Sequence, residues 1–122
     1  MRFASYPSLE DRVAFVTGGG SGIGASIVVH LRAQRAHVAF VDIQGETSAA
    51  LVQAVEALGL PAPWFIHCDL RDIAALRAAV DEARARLGPI RSVPVVNNAA
   101  NDERHAIESV TPEYWDDRFA VE

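Results

Sequence analysis

One stretch of this chain has the residue types and spacing to do chemistry before any fold is known: Thr17-Gly18-Gly19-Gly20-Ser21-Gly22-Ile23-Gly24. Glycines at a turn admit positive φ and leave no side chain between the backbone and a pyrophosphate. A helix starting behind such a turn adds unpaired N–H groups and a positive dipole end, which favour the same phosphates. Glycine runs also build plain turns, so the reading depends on a strand–turn–helix setting. The spacing is Thr-Gly-x-x-x-Gly-Ile-Gly, not Gly-x-Gly-x-x-Gly. No Gly-Lys-Ser/Thr phosphate loop exists either, because all 11 basic residues are arginines; this disfavours ATP or GTP hydrolysis. Asp42 closes the next apolar run, where the ribose of an adenosine would lie. A carboxylate there accepts hydrogen bonds from both ribose hydroxyls and repels a 2′-phosphate, which selects NAD over NADP. The competing reading of Asp42 is a strand-end turn acid. Nearby Arg35 could favour a phosphate, but a carboxylate in the ribose position should dominate.

These residues need elements to position them, and apolar runs alternate with helical periods along the chain. Arg12 to Val16 is a short buried-strand pattern ending at Thr17 and the glycine turn. From Ser21 a 3.6-residue period places Ile23, Ile27, Val28 and Leu31 on one face, with Arg32 and Arg35 off it. His37 to Val41 is a second strand. Thr47 to Leu58 reads as a helix with Leu51, Ala54, Val55 and Leu58 inward and Gly59 after its end. Pro63 to Cys68 is a third strand. Asp72 can cap a helix striped by Ile73, Leu76, Val80, Ala83 and Leu87, with Gly88 as its stop. Val93 to Asn97 is a fourth strand despite Pro94, and Thr111-Pro112-Glu113 opens a last helix with a hydroxyl cap, a proline and an acid in order. The alternation β-α-β-α-β-α-β-α predicts an α/β fold of Rossmann type, a doubly wound parallel sheet with helices on both faces. No repeat, linker or low-complexity stretch divides residues 1–122, so the expectation is one domain or part of one.

The 122 residues are 50% hydrophobic and 22% charged, enough apolar surface for a core and the balance of an ordinary folded domain. A net charge of −5 speaks against nucleic-acid and anionic-membrane partners. The single cysteine, Cys68, excludes an internal disulfide framework and suits a reducing compartment. With no apolar leader after Met1 and no run long enough to span a bilayer, the expectation is a cytoplasmic protein. His67-Cys68-Asp69 resembles a set of metal ligands, but alternation on a strand sends neighbours to opposite faces, so no metal site is expected there.

Taken together, Thr17-Gly18-x-x-x-Gly22-Ile23-Gly24, Asp42, Cys68-Asp69-Leu70 and Asn97-Asn98-Ala99-Ala100 resemble the short-chain dehydrogenase/reductase family in order and approximate spacing. Tyr6-Pro7-Ser8-Leu9, Asn101-Asp102-x-Arg104-His105 and Tyr114-Trp115-Asp116 are similar to its sugar-oxidising branch. The likeness covers nearly the whole chain but only the family's N-terminal half. It therefore implies a truncated sheet of about four strands in the order 3-2-1-4, an NAD(P)-binding domain over 1–122, and NAD as cofactor. By this resemblance Gly18, Ser21, Gly22, Ile23 and Gly24 line the pyrophosphate and Asp42 the adenosine ribose. Asp69 and the Leu70 backbone meet the adenine edge, while Asn98 and Ala99 approach the ribose and Asn97 helps hold the sheet. For Asp69 the local alternative is a helix-entry acid. Asn101, Asp102, Arg104 and His105 could contact a sugar or form a solvated loop. Tyr114 and Trp115 are expected to pack rather than stack on substrate.

The family's reaction resembles hydride transfer assisted by a Tyr-x-x-x-Lys pair together with a serine and an asparagine. Neither Tyr6 nor Tyr114 is followed by lysine, Arg118 is a poor substitute in shape, and Glu122 stands where the resemblance implies asparagine. No catalytic residue is assigned, and negligible dehydrogenase activity is expected of this polypeptide alone. Two functions are consistent with that: the coenzyme-binding part of an NAD-dependent sugar dehydrogenase, or a non-catalytic dinucleotide-binding or dimeric interaction module. In the second case strand four, at a sheet edge and carrying Pro94, would pair with its copy to make a homo-oligomer.

Overall fold

A computed structural model describes residues 3–88, 95–100 and 106–121 of the protein. Its four strands are β1 (Val13–Thr17), β2 (His37–Asp42), β3 (Trp64–His67) and β4 (Val95–Val96). All pair in parallel, in the order β3-β2-β1-β4, which is the expected doubly wound 3-2-1-4 arrangement. Parallel neighbours cannot be joined by a hairpin, so the chain returns through a helix each time. These helices are α1 (Gly22–Ala33), α2 (Gly45–Ala57) and α3 (Ile73–Leu87); α4 (Pro112–Phe119) follows β4.

β1 is buried along its whole length and β2 from Val38 to Val41, which is why both read as unbroken apolar runs. Period-two alternation then sorts their side chains between two layers. Ala14, Val16, Val38 and Phe40 meet Ile27 and Val28 of α1 and Leu51 and Val52 of α2 on one face. Phe15, Ala39 and Val41 meet Leu76, Ala79, Val80 and Ala83 of α3 on the other. The helix ends follow their local signals. Asp72 Oδ1 accepts the Ala75 N–H at 3.1 Å, and Thr111 Oγ1 accepts the Tyr114 N–H at 3.1 Å with Pro112 at the first helical position.

Some expectations are corrected. β1 is shifted one residue, α2 begins at Gly45, and β3 is two residues shorter than Pro63 to Cys68. Within the expected β4, Val93 and Pro94 lie outside the described residues. The helical period turns Ile23, Leu58 and Ile73 inward, yet all three are exposed. Each sits at a helix end, outside the stretch of its helix that packs on the sheet. Ala54 is exposed too, and Val52 packs in its place. Arg32, expected off the apolar face of α1, is only 5% exposed. Its Nε donates to Pro61 O at 2.8 Å and its Nη1 to Ala36 O, so two backbone carbonyls draw the guanidinium inward while its stem covers apolar surface. Burial lowers the pKa of that guanidinium. Among the described residues, no helix is long and apolar enough to cross a membrane.

Candidate functional site

In a parallel sheet of this order, the carboxyl ends of the strands open onto a crevice where the winding reverses, between β1 and β4. Here that crevice is a cleft of about 580 Å³, with Gly18, Asp42, Leu70, Ala99 and Val121 in its wall. Its floor is the glycine turn. Gly18 has φ 66°, a conformation that costs a side-chain-bearing residue but not glycine. The Gly18 and Gly19 N–H groups donate to Val41 O at 2.9 and 3.3 Å, tying the turn to the end of β2. Gly24, one turn into α1, lies so close to the chain that a Cβ there would overlap Gly18 O and stand 2.5 Å from Asn98 Nδ2. α1 therefore begins directly behind β1. Among the described residues, Ser21 at its N-cap position makes no side-chain cap, in contrast to Asp72 of α3 and Thr111 of α4.

Two backbone amides fix the Asp42 carboxylate. Gly20 N donates to Oδ2 at 2.9 Å and Gln44 N to Oδ1 at 2.8 Å. A carboxylate has about four acceptor sites, so both oxygens keep capacity for a further donor. On the β3 side, Asp69 is clasped by Arg71, whose Nε and Nη2 reach its two oxygens at 2.9 to 3.2 Å. These hydrogen bonds hold the Asp69 carboxyl below the usual carboxylate range, so it is an anion and an acceptor at neutral pH. Cys68, next to Asp69 in the chain, is buried. Burial first, then the charges of Asp69 and Asp72, push its thiol pKa up and keep it protonated.

The β1–β4 side is stitched by Thr17. Its Oγ1 accepts the Asn98 and Ala99 N–H groups at 3.1 Å each and donates to Val96 O at 3.4 Å, while Asn98 Nδ2 donates to Gly18 O at 3.0 Å. Among the described residues Val95 and Val96 pair with β1, and these bonds add to that attachment. Thr17→Val keeps the shape and removes the oxygen, leaving two amides without their acceptor. It should cost about 1.5 kcal/mol in a urea melt, with Asn98 and Ala99 amides exchanging faster.

The structure gathers Gly18, Ser21, Ile23, Asp42, Asp69, Leu70, Asn98 and Ala99 around one cleft. Gly22, with φ 54°, shapes the turn, and Gly24 sits behind it. Ile23, 77% exposed, is at the cleft mouth and not in the core. The sheet-holding role expected of Asn97 falls to Asn98, while Asn97 itself is exposed. Asn101, Asp102, Arg104 and His105 lie outside the described residues. Tyr114 is half-buried with the Arg118 guanidinium 4.8 Å from its ring centre, and Trp115, exposed, rests on Phe119 within its own helix. Tyr6 stands at the far end of α1, where its N–H bonds Gln34. Sequence reasoning missed Thr17 as a stitch, and Arg71 and Val121 as parts of the cleft. An arginine two positions after Asp69 was the only available signal for the second of these.

A family model described as "short chain dehydrogenase" matches residues 12–122. The chain is 52% identical over 118 residues to a Rhizobium meliloti protein named "Probable galactose dehydrogenase GalD", covering 97% of this chain and 45% of that protein. It is 40% identical over 121 residues to D-xylose 1-dehydrogenase of Caulobacter vibrioides, covering 99% of this chain and 46% of the relative. It thus spans about half the length of these curated relatives. A solved structure of a blue fluorescent protein from a metagenomic library, in complex with NADPH, superposes with a TM-score of 0.79 at 38% identity, over 93% of this chain and 46% of that one.

Proposed function

The chain belongs to the short-chain dehydrogenase family, and on that premise we propose that its cleft holds a nicotinamide dinucleotide, NAD in preference to NADP, as the coenzyme-binding part of a sugar dehydrogenase. The observation that carries this reading is the pairing of the Gly20 amide with Asp42: one hydrogen bond sets the glycine turn and the carboxylate in fixed relation. The residues present fit the group. A cradle that a Cβ at Gly24 would close, an uncapped helix start and an oriented carboxylate match a diphosphate and a neighbouring ribose diol. Gly18, Ser21, Gly22, Ile23 and Gly24 would line the diphosphate, Asp42 the adenosine ribose, Asp69 and Leu70 the adenine edge, and Asn98 and Ala99 would approach the ribose from β4. Residues 1–122 then act as one dinucleotide-binding domain. Bound there, a nicotinamide supplies a hydride acceptor for a carbinol C–H. The names of the two relatives favour an aldose as the partner of that reaction.

The proton is the other half of this chemistry. Hydride removal from an alcohol needs a base for the hydroxyl proton, and a sequence without lysine holds no Tyr-x-x-x-Lys pair. Residues 1–122 should therefore bind NAD without themselves supplying that base. That outcome also suits the second reading, a non-catalytic dinucleotide-binding or dimeric interaction module.

Calorimetric titration with NAD and NADP, beside an NADH-production assay with D-galactose and D-xylose, tests these statements. Saturable NAD binding, weaker NADP binding and no NADH formation are expected. Tighter binding of NADP would remove the ribose role of Asp42, and sugar-dependent NADH formation would remove the argument from the missing pair.

A further inference from the structure

Arg71 sits at an unusual junction. Its guanidinium uses Nε and Nη2 on Asp69 and turns Nη1 to Asp117 Oδ1 of α4 at 3.0 Å, joining positions 46 apart in the chain. Its own backbone N–H also donates to Asp69 Oδ1 at 3.0 Å, so the carboxylate is held in one plane from both ends of the same residue. Asp69 and Val121, the residue two beyond α4, both belong to the cleft wall, and Arg71 itself is part of it. The arginine therefore fastens two walls of one cleft.

We propose that Arg71 is a positioning residue for the adenosine end of the cleft: it aims Asp69 as a hydrogen-bond acceptor for an exocyclic amino group and draws α4, with Val121, against the same edge. This deepens the dinucleotide reading above and rests on it. Arginine's planar fork can meet a carboxylate through two donors and still offer a third N–H elsewhere, which an ammonium on a flexible stem cannot match. An Asp69 clasped in this way has two oxygens fixed in plane, with lone pairs left for one more donor. An adenine presents such a donor in its 6-amino group; a hypoxanthine presents a carbonyl oxygen there, which a carboxylate repels. The clasp is partly exposed, so its contribution lies in orientation and not in fold stability.

The test titrates the chain with NAD and with its hypoxanthine analogue, nicotinamide hypoxanthine dinucleotide, in the unmodified protein and in Arg71→Leu, Arg71→Lys and Asp117→Asn. The unmodified chain should prefer the adenine form by about tenfold, the worth of one hydrogen bond to a charged acceptor. Arg71→Leu should weaken NAD to within about twofold of the hypoxanthine form, which itself should change little. Arg71→Lys should restore part of the preference, and Asp117→Asn, which keeps the Asp69 clasp, most of it. Melting temperatures should stay close together across the set, as expected of an exposed pair. An adenine preference unchanged in Arg71→Leu, or an equal loss for both dinucleotides, overturns the positioning role while leaving the dinucleotide reading intact. Failure of the unmodified chain to bind either compound overturns both.

Discussion

Gly24→Ala is expected to abolish dinucleotide binding and to destabilise the fold by about 3 kcal/mol, the upper range for overpacking a tight contact. The added methyl has nowhere to go. It meets the Gly18 carbonyl, part of the turn itself, and the Asn98 amide that holds β4 to that turn. Backbone on one side and a hydrogen-bonded amide on the other leave little room to yield, so α1 must back away from β1 and take its first-turn amides out of reach of a diphosphate. Gly45→Ala is the matched control. It adds the same methyl at the first residue of α2, where nothing lies within 4 Å, and lowers the entropy of the unfolded chain. It should be neutral or stabilising by about 0.5 kcal/mol. Urea melts and NAD titrations of the two variants decide the matter. If Gly24→Ala binds and melts like the unmodified chain, the close approach of helix and turn is not what builds the site.

Asp42→Ala should lower NAD affinity by about 10- to 100-fold, the loss of one to two hydrogen bonds to a charged acceptor. NADP affinity should hold or rise, since the group that repels a 2′-phosphate is gone. The preference between the two coenzymes therefore collapses even if both bind weakly. Part of the loss has an internal origin: Gly20 and Gln44 donate to this carboxylate, and without it the turn loses the bond that sets its distance from β2. Asp42→Asn separates the contributions. It keeps an amide oxygen for one backbone donor but removes the charge, so it should retain more stability than Asp42→Ala while losing a similar share of the NAD preference. Parallel titrations with NAD and NADP measure both effects. An Asp42→Ala chain that still prefers NAD would show that coenzyme choice is made elsewhere.

Much of this architecture was legible because its determinants are local. An apolar run followed by glycines and a 3.6-residue period specifies strand, turn and helix within about 25 residues, and parallel crossovers leave few ways to assemble three such units. The caps of α3 and α4 were readable for the same reason: Asp72 and Thr111 each act on an amide three residues away. Burial at helix ends was not. Ile23, Leu58 and Ile73 obey the period and are still exposed, because the pattern tells a residue which way to point but not whether a neighbour stands there.

Local residue pattern was enough for the alternation of strands and helices, the glycine floor of the cleft and the acid at the end of β2. Each depends on backbone conformations and side-chain alternation that a dozen or so neighbouring residues settle among themselves. Long-range packing is what buries Arg32 among carbonyls, brings Thr17 to amides about 80 positions away and lets Arg71 reach Asp117 across 46. A hydrogen bond needs its partners within about 3 Å and in line, and only the packing of both helical layers on the sheet brings such distant groups to that distance.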